Sequence, residues 1–110
     1  MKSLILGHGK RYENNPDIDI RCSPIDKYIW LNSDYTSVDM FEDVEPNIVY
    51  DLRKYPWRFA TSESYDCIID TCGIGLQSRY KTDNFCKEIN RVLKQGGVFY
   101  GYGGFTIVKN

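Results

Sequence analysis

The sequence lacks the residue patterns that mark several large classes of protein. His8 is the only histidine, and the four cysteines form no C-x-x-C pair, so the spacing of a zinc site is absent. No apolar run approaches the ~20 residues of a membrane-spanning helix. Lys2 is followed by only three apolar residues, a pattern that does not predict a signal peptide. We therefore expect neither a metal site nor a membrane association.

Neither sign of charge is in excess. The 14 basic and 15 acidic residues give a net charge of -1, which removes the electrostatic case for a general nucleic-acid binder. The cysteines would permit two disulfides in a secreted chain, but Cys67 and Cys86 fall among apolar neighbours, where free cysteine acts as a small hydrophobe. We therefore predict a reduced, cytoplasmic protein.

The composition and the spacing of apolar segments predict one packed α/β domain. The chain has 110 residues, of which 42% are apolar and 15% aromatic, enough for a single core spanning 1–110. Apolar strands of this kind need cover on both faces, so we expect a mainly parallel sheet. Five strands are predicted at residues 3–6, 28–32, 47–50, 65–70 and 98–102, and Gly103-Gly104 predicts a hairpin into an antiparallel strand at 105–108.

Few helices are predicted. The clearest one has Asp83 as its N-cap, an apolar face and Gly96-Gly97 as its stop. Its charged residues, among them Glu88 and Arg91, are interpreted as a solvated face. Ser37 is predicted to cap a helical turn that runs through Val44.

Glycines and acids follow four of the predicted strands. Gly7 and Gly9 follow the first strand, Asp34 the second, Asp51 the third and Asp70 the fourth. Ligands of open parallel sheets bind outside the carboxyl ends of the strands, so we expect these positions to line one ligand site. The wider stretch 28–52 has acids and no Lys or Arg, and it is either a solvated rim or includes one or two acids that bind ligand hydroxyls or amines. Its acids are Asp34, Asp39, Glu42, Asp43, Glu45 and Asp51.

Four segments carry a family resemblance. They read L-I-L-G-H-G at 4–9, I-V-Y-D-L-R-K-Y-P-W at 48–57, S-Y-D-C-I-I-D at 64–70 and E-I-N-R-V-L-K-Q-G-G at 88–97. In order and spacing, across nearly the whole chain, they resemble class I S-adenosylmethionine-dependent methyltransferases. The resemblance implies a Rossmann-like sheet and S-adenosylmethionine as the cofactor.

The resemblance also implies a set of cofactor-binding residues. The two glycines match those that let the backbone approach the methionine and ribose, and Asp34 matches the acid that holds the ribose hydroxyls. Asp51 matches the acid near the adenine amine, and Leu52 supplies an amide and an apolar contact. Asp70 matches a position that lines the cofactor and the substrate. The set is Gly7, Gly9, Asp34, Asp51, Leu52 and Asp70.

Compared with that family, the chain is short. Pro16 and Pro24 interrupt residues 10–27, so we expect the usual first helix to be missing. Only 13 residues follow Gly97, which leaves little chain to bind an acceptor, so we expect a truncated member of the family. The protein is then a methyltransferase-like domain that binds S-adenosylmethionine or S-adenosylhomocysteine, with its acceptor and catalytic residues open. The alternative is an inactive module of the same fold that acts through a homodimer or a partner subunit covering the C-terminal sheet edge.

Three further residues have two interpretations each. His8 is an exposed loop residue or a general base. Trp57 is a core residue or lies at the edge of an adenine pocket. Asp66 precedes a predicted buried strand and is interpreted as a turn or capping residue rather than a ligand-binding one.

Overall fold

The fold is built on one six-stranded sheet. A computed structural model describes residues 1–7, 34–70, 81–101 and 106–110. The strands are Lys2–Leu6 (β1), Asp34–Asp39 (β2), Ile48–Val49 (β3), Tyr65–Asp70 (β4), Leu93–Tyr100 (β5) and Thr106–Val108 (β6). They lie in the order β3-β2-β1-β4-β5-β6, with β1 to β5 parallel and β6 antiparallel to β5. The prediction of a mixed α/β fold with a mostly parallel sheet is confirmed, and the arrangement is consistent with a minimal Rossmann-like sheet.

The second strand lies later in the chain than the sequence predicts. The strand expected at 28–32 falls outside the described residues, and residues 34–39, which were expected to follow that strand and to begin a helical turn, form β2. Ser37 is not a helix cap, because it lies within β2, and its Oγ accepts a hydrogen bond from the Asn47 N–H over 3.1 Å. Tyr35, Thr36 and Val38 are residue types that favour strands. The expected helical turn is reduced to a 3₁₀ turn at Glu42–Val44.

One α-helix, α1 at Thr82–Val92, lies within the described part of the chain. It begins after Lys81, and no side chain caps it, so the prediction of Asp83 as N-cap is wrong. The helix also ends at Val92 rather than at Gly96, because Leu93 already pairs with Tyr65 as the first residue of β5. Its buried side chains are Phe85, Glu88, Ile89 and Val92.

The two glycines of β5 shape its start. The pairing jumps from Tyr65 with Leu93 to Cys67 with Val98, so the chain makes an excursion between Leu93 and Val98. Gly96 has a φ of 77°, in the left-handed region that favours glycine. A Cβ on Gly97 would lie 2.8 Å from the Lys94 carbonyl oxygen, closer than a side chain can approach. The two glycines therefore allow the irregular backbone at the start of β5, and they do not end the helix.

Apolar side chains cover both faces of the sheet. Full burial of one such side chain contributes roughly 1.5–3 kcal/mol. On one face α1 and the segment after β3 pack against Leu4, Leu6, Val38, Ile68 and Phe99. On the other face the buried residues are Ile5, Cys67 and Ile69, with Tyr35 and Tyr100 packed against them.

The predicted hairpin is confirmed in its pairing. Tyr100 pairs with Thr106 and Val98 with Val108 in antiparallel register, and the turn itself lies outside the described residues.

Within the described ranges, no helix is long and apolar enough to cross a membrane. The same ranges hold no group of three side chains that could bind a metal ion, and neither of their two cysteines, Cys67 and Cys86, forms a disulfide.

Candidate functional site

The carboxyl ends of β1, β2 and β4 meet at one edge of the sheet. Leu6 pairs with Val38 of β2 on one side and with Asp70 of β4 on the other. Gly7 follows with a φ of 84° and donates its N–H to the Val38 carbonyl oxygen over 2.8 Å. Because β1 is flanked by β2 and β4, the strand order reverses direction here, and ligands of open α/β sheets bind at such a point.

Asp34 does not lie at this edge, so its predicted placement at a carboxyl end of the sheet is wrong. Asp34 begins β2 and pairs with Lys2, and its N–H donates to the Met1 carbonyl oxygen over 2.9 Å. The five residue steps of β2 that separate Asp34 from Asp39 place it about 16 Å away, at the opposite edge. The error follows from the misplaced second strand, because an acid expected to follow a strand in fact starts one.

Asp39 occupies the position expected of Asp34. It ends β2, directly after Val38, and is only 8% exposed. Its Oδ1 accepts a hydrogen bond from the Phe41 N–H over 2.9 Å. Within the described ranges that amide is the one donor to the carboxylate. The sequence places Asp39 among six acids, and only the register that pairs Leu6 with Val38 distinguishes it from the others.

Asp51 follows β3 at the same edge, but its carboxylate is already engaged. Arg53 Nε donates to Asp51 Oδ1 over 2.9 Å and Nη2 donates to Oδ2 over 2.8 Å. The Arg53 N–H also donates to Oδ1 over 3.0 Å. These hydrogen bonds hold the pKa of Asp51 at about 2, below its ordinary value of 3.8. A ligand amine would have to compete with Arg53 for this carboxylate.

Leu52 and Trp57 belong to the core. Leu52 is 5% exposed and Trp57 is 1% exposed. The Trp57 indole Nε1–H donates to the Leu52 carbonyl oxygen over 3.0 Å, and its ring packs edge-on against Phe85 at 5.5 Å between centroids. Of the two interpretations of Trp57, the core residue is therefore the one observed.

Exposed apolar side chains lie next to Asp39. Met40 and Phe41 follow it directly, with exposed fractions of 38% and 59%. Val49, which pairs with Asp39 across β2 and β3, is exposed as well. A short apolar strip thus adjoins an acid at the carboxyl edge, a combination suited to a ligand with a flat apolar ring and hydroxyl groups.

The structure describes two of the four remaining candidate residues, Asp70 and Asp66. Asp70 ends β4 opposite Leu6 and is buried. Gly9 and His8 lie outside the described residues. Asp66 accepts a hydrogen bond from the Lys2 N–H over 2.8 Å at the amino edge of the sheet, which agrees with a structural role.

Glu88 and Arg91 do not form the solvated face that the sequence predicts. Glu88 is buried, and it accepts hydrogen bonds from Arg91 Nε to Oε2 over 2.9 Å and from Arg91 Nη2 to Oε1 over 3.0 Å. Burial alone would raise the pKa of Glu88, but hydrogen bonds from Arg91 and from the Trp57 N–H outweigh it, and the pKa is lowered. The same pairing raises the pKa of Arg91. No sequence signal distinguishes this pair from an ordinary surface i,i+3 pair.

Comparisons with known proteins do not assign the chain to a family. No protein-family model matches the sequence, and a search of curated proteins finds no significant match. Functional inference therefore depends on the edge formed by β1, β2 and β4 and on the motifs that resemble methyltransferases.

Proposed function

We propose that the protein is a short methyltransferase-like domain that binds S-adenosylmethionine or S-adenosylhomocysteine at the carboxyl edge of β1 and β2. The observation that carries the proposal is the hydrogen bond from the Gly7 N–H to the Val38 carbonyl oxygen, which sets Gly7 beside the end of β2, where Asp39 follows Val38. A glycine lets a ligand approach the backbone closely, and a carboxylate can accept two charge-assisted hydrogen bonds from a pair of ribose hydroxyls.

The ribose end of the ligand is assigned to Asp39. The Phe41 N–H already fixes Oδ1, so the carboxylate is oriented before a ligand arrives. Preorganisation of this kind lowers the cost of binding because little side-chain freedom is lost. Asp34 has no part in the proposal, since it begins β2 at the other edge of the sheet.

The adenine end is assigned to the apolar strip and to the segment after β3. Met40 is the apolar residue next to the ribose acid, and Leu52 follows Asp51 in that segment. Arg53 donates hydrogen bonds to both Asp51 carboxylate oxygens. We therefore assign adenine recognition to apolar contacts and main-chain groups rather than to the Asp51 carboxylate. Asp70 lies on the far side of Gly7, where the cofactor would face a substrate.

Methyl transfer would require few reactive side chains. The cofactor, when bound, supplies a methyl group on a sulfonium. The role of the protein would be to orient that methyl group toward an acceptor and to exclude water. The described residues supply the orienting edge, and the acceptor and catalytic residues are not assigned.

Isothermal titration with S-adenosylhomocysteine tests the proposal. We expect saturable binding by the unsubstituted protein. Asp39→Asn should weaken binding about tenfold or more, because hydrogen bonds to a charged group contribute roughly 1.5–3 kcal/mol. Asp34→Asn is the matched control and should bind as the unsubstituted protein does. An absence of heat at millimolar ligand, or an equal loss in the two variants, would overturn the proposal.

A second candidate is a module that acts as a homodimer through β6. Ile107 and Val108 on this edge strand are 54% and 52% exposed. Lys109, which could protect the edge by its charge, instead turns inward and donates to the Leu93 carbonyl oxygen over 2.8 Å. Two copies could therefore pair β6 with β6 without like-charge repulsion. Light scattering should then give a dimer mass for the protein and a monomer mass for Ile107→Lys, whereas a monomer before substitution would exclude this candidate.

A further inference from the structure

A buried carboxylate on α1 has no part in the proposed ligand site. Glu88 is 7% exposed, on the face of the helix that packs against the core. A buried charge is costly unless it is paired and hydrogen-bonded. Glu88 meets both conditions through the guanidinium of Arg91 and the main-chain N–H of Trp57.

Arg91 also reaches the same tryptophan. Its Nη2 donates to the Trp57 carbonyl oxygen over 3.0 Å, while Glu88 accepts from the Trp57 N–H. Both main-chain polar groups of Trp57 are therefore held by one ion pair on the helix. The indole Nε1–H of Trp57 donates to the Leu52 carbonyl oxygen, so the position of Trp57 also restrains Leu52.

The segment 51–57 has little other support from the sheet. β3 has only two residues and pairs with β2 alone in the described sheet. Tyr50, directly after β3, supports the segment through its hydroxyl, which donates a hydrogen bond to the Lys54 carbonyl oxygen over 2.6 Å. The ion pair on the helix therefore adds two hydrogen bonds at Trp57 to the local main-chain bonds of the segment, such as that from the Lys54 N–H to the Asp51 carbonyl oxygen over 3.0 Å.

We propose that Glu88 and Arg91 are positioning residues that hold the segment 51–57, through Trp57, in the shape that places the main chain of Asp51 and Leu52 at the adenine end of the ligand. The proposal rests on the proposed function for the identity of that ligand. It gives a role to the two charged residues of the E-I-N-R motif, which contact neither Gly7 nor Asp39 by any hydrogen bond or ion pair in the described structure.

Hydrogen–deuterium exchange of the ligand-free protein tests the first half of the proposal. Glu88→Gln keeps the shape of the side chain and removes its charge, and Arg91→Lys keeps a charge and removes the fork of donors. Asp83→Asn is the matched control, since it makes the same carboxylate-to-amide change at an exposed position of α1. We expect amides of 51–57 to exchange about tenfold faster in the first two variants, because that factor corresponds to one charged hydrogen bond. Unchanged exchange in both variants would overturn the positioning role.

Titration with S-adenosylhomocysteine tests the second half. We expect Glu88→Gln and Arg91→Lys to bind roughly tenfold more weakly, with Asp83→Asn unchanged. Faster exchange in 51–57 combined with unchanged affinity would show that the pair serves stability alone and would overturn the positioning role. If the unsubstituted protein binds no ligand, the proposed function fails, and the exchange data still decide whether the pair holds the segment. Far-ultraviolet circular dichroism of each variant separates these outcomes from global unfolding.

Discussion

Gly7 and Val38 are joined by a hydrogen bond of 2.8 Å from the Gly7 N–H to the Val38 carbonyl oxygen. This bond continues the parallel pairing of β1 and β2 by one residue and brings Gly7 beside the end of β2, where Asp39 follows Val38. A glycine at positive φ and a buried acid are thus fixed next to each other by main-chain geometry alone. The proposed ligand site depends on this pair of strand ends.

The first prediction separates the backbone cost of Gly7 from its functional role. Gly7 and Gly96 both have positive φ, at 84° and 77°. Alanine at either position should lower the free energy of unfolding by about 1–2 kcal/mol, because a Cβ disfavours this conformation. In urea denaturation the two variants should lose similar stability. Only Gly7→Ala should also weaken binding of S-adenosylhomocysteine, and equal affinities would contradict a role for Gly7 at the site.

The second prediction concerns acid sensitivity. The pKa of Glu88 in the folded protein lies below its ordinary value of 4.5, so the unfolded chain binds the proton more readily. The stability that Glu88 contributes is complete above pH 4.5 and falls as the pH drops through the lowered folded value. Urea midpoints measured downward from pH 6 should fall more steeply for the unsubstituted protein than for Glu88→Gln. Parallel curves would show that the ion pair does not couple to folding.

The third prediction tests the contact between Arg53 and Asp51. Arg53→Gln should move the pKa of Asp51 from about 2 toward 3.8, because Arg53 supplies the largest lowering contributions. Lys54→Gln is the control, since Lys54 acts on Asp51 only through a smaller Coulomb contribution, and its shift should be smaller. A carboxyl-carbon nuclear magnetic resonance titration measures both. Equal shifts in the two variants would mean that the guanidinium does not engage Asp51 in solution.

Parts of the fold with continuous apolar runs could be predicted from the sequence. Residues 65–70 form β4 within the predicted bounds, and residues 3–6 lie in β1, because a run of buried apolar residues has few alternatives in a parallel sheet. β2 could not be predicted in this way. Four of its six residues are polar, so it has no continuous apolar run, and its strand conformation depends on pairing with β1 as well as on its strand-favouring residue types.

The errors in the candidate site have the same origin. The sequence predicts a strand before Asp34 and so places this acid at a carboxyl end of the sheet, whereas β2 begins at Asp34 and places it at an amino end. Asp39 became recognisable only from the register that pairs Leu6 with Val38. The pairing of Glu88 with Arg91 is visible in the sequence, but its burial against Trp57 depends on where the segment after β3 folds back.

A crystal structure grown with S-adenosylhomocysteine is the most direct test of the proposed site. We predict that the ribose hydroxyls lie within hydrogen-bonding distance of the Asp39 carboxylate, beside Gly7 at the carboxyl edge of β1 and β2. Ligand density elsewhere on the protein, or none at saturating ligand, would contradict the assignment of this edge as the binding site.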